Sequence, residues 1–117
     1  MAITPLNIFR TVRWPVTTTN TGIYTAPANV ASIVLSAQVA NVSDGITTVS
    51  AFHYRAAVGS DTYGSVAIAS SIRVPVEDTL SLIDGKMVME TDDEFRVLGT
   101  ENGTMELILS ILETAKQ

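Results

Sequence analysis

Apolar and polar residues alternate along most of this chain, in short stretches that are separated by turn-forming residues. The clearest stretch is 31–41, where one side of the alternation carries Ile33, Leu35, Ala37 and Val39. The other side carries mostly polar or small residues, including Gln38. A period of two is typical of a strand that buries one face, so this pattern predicts β-structure.

The same pattern recurs about every ten residues, a spacing typical of β-sandwiches and jelly rolls. The predicted strands are 8–14, 22–25, 31–41, 46–56, 66–74, 86–90, 94–99 and 105–112. Residues 75–84 are predicted to be a connection with two apolar anchors, Leu80 and Leu82. Residues 105–115 also fit a helix, because Glu, Met and Leu favour helices. We prefer a strand there because the turn signal Asn102-Gly103 precedes it.

Two further turn signals are Asp44-Gly45 and Asp84-Gly85. All three dipeptides readily supply the positive φ of a tight hairpin, and they therefore predict a mostly antiparallel strand order. The predicted fold is all-β: an antiparallel β-sandwich of jelly-roll or Greek-key type with an N-terminal arm. Residues 1–21 would form the arm and first strand, and 22–117 the sandwich body of a single domain.

The composition supports strands, because the β-branched residues Thr, Val and Ile make up 38 of the 117 residues. Only 16% of the residues are charged, and the mean hydropathy is +0.30. A small monomer needs polar surface to stay dispersed, so surplus apolar surface points to an interface. We therefore expect an oligomer, with a homotrimer as the preferred form.

The net charge is −5, which argues against nucleic acid as a partner, since that requires clustered Lys and Arg. No apolar run is long enough to span a membrane. The chain has no cysteine and one histidine, so disulfides, thiolate metal sites and cysteine nucleophiles are excluded. We expect no cofactor.

Candidate catalytic chemistry is sparse in this sequence. A Ser-His-Asp system needs a base, and His53 lies in mid-strand between two aromatic residues, where a sheet-face or interface role is the preferred interpretation. The acidic run Glu90, Asp92, Asp93 and Glu94 could offer oxygen ligands to Ca²⁺. It lacks the spacing of a recognised calcium loop, and a solvated turn is the preferred interpretation. The sequence thus predicts neither catalytic nor metal-binding residues.

Candidate interface residues are concentrated at the N-terminus. An arm of this kind packs on its own domain or reaches a neighbour, and large aromatic residues contribute strongly to association. Aromatic residues could also form a sugar-binding platform, although they more often serve as core or interface anchors. The predicted interface residues are Ile3, Leu6, Ile8, Phe9, Trp14 and Tyr54.

Several segments, in order, resemble a group of small virion structural proteins of tailed bacteriophages, including those of T4-like cyanophages. They are 23–28 (IYTAPA) leading into 30–35 (VASIVL), 38–43 (QVANVS), 74–76 (VPV), 80–82, 84–86 (DGK), 88–90 (VME) and the apolar strand 106–113. The resemblance spans about 22–113. One departure is Asp92-Asp93, where similar proteins often have a Gly-Asp turn.

The resemblance implies a non-enzymatic structural role in a virion that is assembled in the host cytoplasm. The preferred function is a capsid cement or decoration protein that binds its own copies and the major capsid protein. One alternative is a tail, neck or baseplate adaptor. Another, of a different class, is a carbohydrate-binding host-attachment module using Tyr54 or Tyr63.

Overall fold

The computed structural model describes residues 7–56 and 64–115, and these form nine strands without a helix. The strands are β1 (Asn7–Pro15), β2 (Thr21–Thr25), β3 (Val30–Asn41), β4 (Thr47–Tyr54), β5 (Ser65–Val74), β6 (Thr79–Ser81), β7 (Met87–Met89), β8 (Glu94–Gly99) and β9 (Met105–Ala115). The predicted arm residues Met1–Leu6, with Ile3 and Leu6, lie outside the described residues, as does Tyr63.

The strands form two antiparallel sheets packed face to face. The five-stranded sheet has the order β1-β9-β3-β6, with β7 also paired to β3. The four-stranded sheet has the order β2-β8-β4-β5. This order is that of a jelly roll in which β6 and β7 share one edge position. The prediction of an all-β antiparallel sandwich is confirmed.

The core lies between the sheets and is built from the inward side chains of almost every strand. Strand β9 contributes four fully buried residues, Met105, Leu107, Leu109 and Ile111. The four-stranded sheet contributes a second group of fully buried residues, which packs against the first: Val49, Ala51, Val74, Phe95 and Val97. Burial of each large aliphatic or aromatic side chain contributes roughly 1.5–3 kcal/mol to folding.

The prediction of three hairpins is wrong. The turns at Gly45 and Gly103 each carry the chain from one sheet to the other, and the turn at Gly85 joins β6 and β7, which both pair with β3. Gly85 and Gly103 do have positive φ, at 84° and 75°. A local turn sequence reverses the chain. Burial of the inner faces decides whether the next strand pairs with the preceding one or crosses to the opposite sheet.

The alternation in β3 also differs from its prediction. A register shift between Val34 and Ser36 moves the phase by one residue. Val34, Ala37 and Val39 are consequently buried, while Ile33 points to the outer face. A bulge inserts an unpaired residue, which no period-two pattern reveals.

Two other outcomes concern short or ambiguous segments. Strand β6 lies within 75–84, which was predicted to be only a connection. With three residues it is too short to show a period. Residues 105–115 form a strand, so the preferred interpretation of that segment is confirmed.

Gly99 tests how closely the sandwich is packed. A Cβ at this position would lie 2.7 Å from Met105 Cε and 2.9 Å from Val16 Cγ1. We expect Gly99→Ala to lower the free energy of unfolding by about 1–3 kcal/mol, because a filled core resists added volume. Gly45→Ala is the matched control, since a Cβ there meets nothing within 4 Å. Its change should stay within about 0.5 kcal/mol in the same denaturant titration.

Candidate functional site

The first candidate site is a polar cluster between the sheets, which we call the Glu113 cluster. The Tyr24 hydroxyl on β2 donates to Glu113 Oε2 at 2.6 Å and lies 3.0 Å from Ser32 Oγ. Arg10 Nε on β1 donates to Glu113 Oε1 at 2.8 Å. Glu113 is only 3% exposed, so its charge is held by these two donors. The cluster joins β2 of one sheet to β1, β3 and β9 of the other.

Burial and hydrogen bonding shift the ionisation of this cluster. Burial, and then the hydrogen bond to Glu113, raise the pKa of Tyr24 to about 12. Burial also acts to raise the pKa of Glu113, but the hydrogen bonds from Tyr24 and Arg10 outweigh it and lower that pKa. Near neutral pH the cluster therefore holds a neutral phenol and an ionised carboxylate.

The second candidate site, which we call the Asp93 cluster, lies at the turn between β7 and β8. Arg55 binds both carboxylate oxygens of Asp93 at 2.7 Å, and His53 Nε2 lies 3.0 Å from Oδ2. The Glu90 backbone N–H also donates to Asp93. Asp93 is fully buried. The bidentate guanidinium and this N–H supply the donors that a buried carboxylate needs.

Burial acts to raise the pKa of Asp93, but the hydrogen bonds from Arg55 and the Glu90 backbone outweigh it and lower the pKa. The preferred interpretation of a solvated acidic turn therefore fails at this residue. A polar pattern in a turn does not reveal which acid turns inward. The alternation in the sequence does place His53 and Arg55 on one face, but it does not indicate which distant acid they bind.

Among the described residues, neither cluster has the arrangement of a catalytic triad. No hydroxyl side chain among the described residues is hydrogen-bonded to His53, so the Asp93–His53 pair lacks the nucleophile of a triad. Within 7–56 and 64–115, no group of three His, Cys, Asp or Glu residues could hold a metal ion. Both clusters connect separate strands and turns through ion pairs and hydrogen bonds.

The third candidate site is a surface, the outer face of the five-stranded sheet. Phe9 pairs with Leu112, Leu112 with Ile33, and Ile33 with Val88. Directly paired residues project from the same face of a sheet. These four side chains therefore form one line across β1, β9, β3 and β7, which we call the apolar row. Its two ends are widely exposed, Phe9 by 73% and Val88 by 64%.

Four of the interface residues predicted from the sequence lie in the described part of the chain, and they are not all on one surface. Phe9 belongs to the apolar row, and Ile8 lies beside it on the inner side, opposite Glu113. Trp14 packs partly on the core. Tyr54 lies on the outer face of the four-stranded sheet, with the Arg96 guanidinium 4.1 Å from its ring centroid. Three of the four described interface candidates therefore share strand β1: Ile8, Phe9 and Trp14. The interface role of all four stays a prediction.

Sequence reasoning missed three members of the apolar row, Ile33, Leu112 and Val88. Ile33 was assigned to the buried face because the bulge in β3 was not visible. Cross-strand pairing between distant segments places the three side chains together, and a single sequence carries no signal for that pairing.

Comparison with known proteins gives structural neighbours only. No protein family model matches the chain, and no curated protein sequence matches it. A chain of Bacillus endospore appendages, described as disulfide-linked pili, matches with a TM-score of 0.56 and 16% identity over 95% of this chain and 88% of that one. A chain of the T13 IBDV viral particle matches with a TM-score of 0.55 and 10% identity over 95% of this chain.

These matches show a shared fold. The chain corresponds to 31% of the length of the viral particle protein, that is, to one part of it. The chain has no cysteine, so it cannot form the disulfide links named for the pili. Among the described residues, no helix has the length and apolarity needed to cross a membrane.

The Tyr24 hydroxyl should make stability depend on alkaline pH. Its folded pKa is about 12, above the unfolded value near 10, so its contribution is complete below pH 10 and is lost as the pH rises towards 12. We expect the stability advantage of the native chain over Tyr24→Phe to shrink by about 2–3 kcal/mol across that range. Denaturant titrations of both chains at several pH values measure it. A constant difference would contradict the assignment.

The Asp93 cluster should contribute strongly to stability. We expect Asp93→Asn to lower the free energy of unfolding by about 3 kcal/mol, because it removes one partner of a buried ion pair. Glu90→Gln is the matched control, because Glu90 contacts the same Arg55 but is 70% exposed. Its effect should stay below about 1 kcal/mol in the same denaturant titration. Equal effects of the two substitutions would contradict the importance of burial here.

Proposed function

We propose that this chain is a non-enzymatic structural protein of a bacteriophage virion, acting as a capsid cement or decoration protein. The observation that carries the proposal is the apolar row, which crosses the outer face of the sheet with half-buried Ile33 and Leu112 between the widely exposed Phe9 and Val88. Soluble monomers rarely expose contiguous apolar surface without a partner to cover it. A protein of this kind works by burying that surface in an assembly.

The two polar clusters support this function because they stiffen the body that would bind. The Glu113 cluster ties the two sheets together, and the Asp93 cluster holds the turn between β7 and β8 against His53 of β4 and the following Arg55. A rigid partner loses less conformational entropy on binding, so more of the contact free energy appears as affinity.

The proposed partners are other copies of the chain, arranged as a homotrimer, and the major capsid protein. Burying an exposed side chain such as Phe9 contributes about 1.5–3 kcal/mol before the cost of association. One such contact gives little affinity. Repetition by symmetry across a capsid surface multiplies the gain, because each copy then contacts several neighbours at once.

Copy number in purified virions tests the proposed function. We expect hundreds of copies per particle, because a cement protein must cover a capsid lattice. Quantitative mass spectrometry with the major capsid protein as internal reference gives the number. About three to twelve copies would overturn the cement role in favour of a neck, tail or baseplate adaptor, and absence would overturn a virion role altogether.

A further inference from the structure

The four sheet edges of this sandwich differ in how well they are protected against pairing with another strand. Edge strands are usually short, bulged or charged, which prevents edge-to-edge association. Here β2 and β5 pair with their neighbours through register shifts, and β6 and β7 have three residues each. Of the edge strands that the structure describes, only β1 is long and regular, with nine residues in unbroken register against β9.

The apolar row runs from this regular edge to the opposite edge of the same sheet. Among the described residues, Phe9 at the β1 edge and Val88 at the β7 edge are the two most exposed large hydrophobic side chains. A second line of paired residues lies on the inner face: Trp14 with Leu107, Leu107 with Val39, and Val39 with Leu80. Both lines therefore end in an apolar residue at each edge.

The two edges also differ in charge. Strand β1 carries two basic residues and no acidic one: Arg10, which is paired with Glu113, and Arg13. Arg13 is exposed and forms no ion pair within the part of the chain that the structure describes. The segment 77–92, which contains β6 and β7, has one basic residue, Lys86, and the following five acidic residues: Glu77, Asp78, Asp84, Glu90 and Asp92. A basic edge and an acidic edge attract each other.

We propose that copies of this chain associate head to tail through the five-stranded sheet, with β1 of one copy pairing with the β6–β7 edge of the next. Strands β1 and β3 run parallel to each other, and β6 and β7 run antiparallel to β3. A second copy whose five-stranded sheet continues the first in the same orientation therefore brings β1 antiparallel to both. Phe9 then meets Val88, and Trp14 meets Leu80. This inference rests on the proposed function and specifies the surface through which copies associate.

The alternative of two β1 strands pairing across a two-fold axis is disfavoured by charge. It would bring Arg13 of both copies, which has no ion pair among the described residues, into one short interface, and like charges on adjacent strands are destabilising. It would also leave Val88 exposed. The head-to-tail arrangement covers both ends of the apolar row and pairs opposite charges.

A head-to-tail contact is heterologous, because each copy uses two different surfaces. Such contacts close into a ring when the rotation between copies allows it, and otherwise extend into a filament. A trimer of the proposed kind would be a closed ring of three such contacts.

Cysteine cross-linking tests the contact directly, because the chain has no native cysteine. We expect the double variant Phe9→Cys/Val88→Cys to form a ladder of covalent oligomers under mild oxidation. Peptide mass spectrometry should identify bridges between positions 9 and 88. An intramolecular bridge is excluded, because the two positions are three strand spacings apart, roughly 14 Å, beyond the reach of a disulfide.

The single variants are the controls for geometry. Phe9→Cys alone and Val88→Cys alone should each give at least about tenfold less cross-linked product than an equal mixture of the two after co-refolding. The factor of ten corresponds to about 1.4 kcal/mol of preference for the mixed contact. Ile46→Cys combined with Phe9→Cys is the matched control for exposure, since Ile46 is 61% exposed and lies between β3 and β4, outside both edge strands. It should give only background cross-linking.

Each other outcome overturns the inference in a distinguishable way. Bridges between two copies of position 9 would show a two-fold contact instead. Absence of bridges in the double variant, when the native chain is oligomeric by light scattering, would show that copies associate through another surface. A native chain that stays monomeric at about 100 μM would reject self-association by this edge, while the copy number in virions would still decide the proposed function.

Discussion

The insertion of β9 between β1 and β3 is the contact on which the rest of the structure depends. Eleven paired positions join β9 to β3 and nine join it to β1. Its inward side chains, from Met105 to Ile111, form one side of the core. Among the described strands, β1 and β9 are the farthest apart in sequence, so their pairing is a long-range contact of the kind that slows folding.

The Glu113 cluster fixes the register of that insertion. Glu113 is buried near the C-terminal end of β9, and its carboxylate meets Tyr24 and Arg10 only in the observed pairing. A slip by one residue would turn the carboxylate outward and the core leucines with it. Buried polar groups that depend on several partners in this way favour one arrangement over its near alternatives. The Asp93 cluster likewise favours one conformation of the turn between β7 and β8.

The outer face of the five-stranded sheet has a different character. The inner face of this sheet is covered by core packing and ion pairs. The outer face carries the apolar row, which reaches the regular edge strand β1. A sandwich that folds by itself has no need of these features. They become favourable when a second copy covers them, so the same sheet that completes the fold would also carry the assembly.

The sequence by itself determined the all-β class, most strand positions and the strand at 105–115, because these follow from β-branched composition and local alternation. Ile8, Phe9, Trp14 and Tyr54 could be named as candidate interface residues from type and position alone. Tertiary structure decided that the turns cross between sheets, that β3 bulges after Val34, and that Asp93 and Glu113 are buried. Those outcomes depend on contacts between residues far apart in the chain, and local pattern carries no information about which distant segment pairs with which.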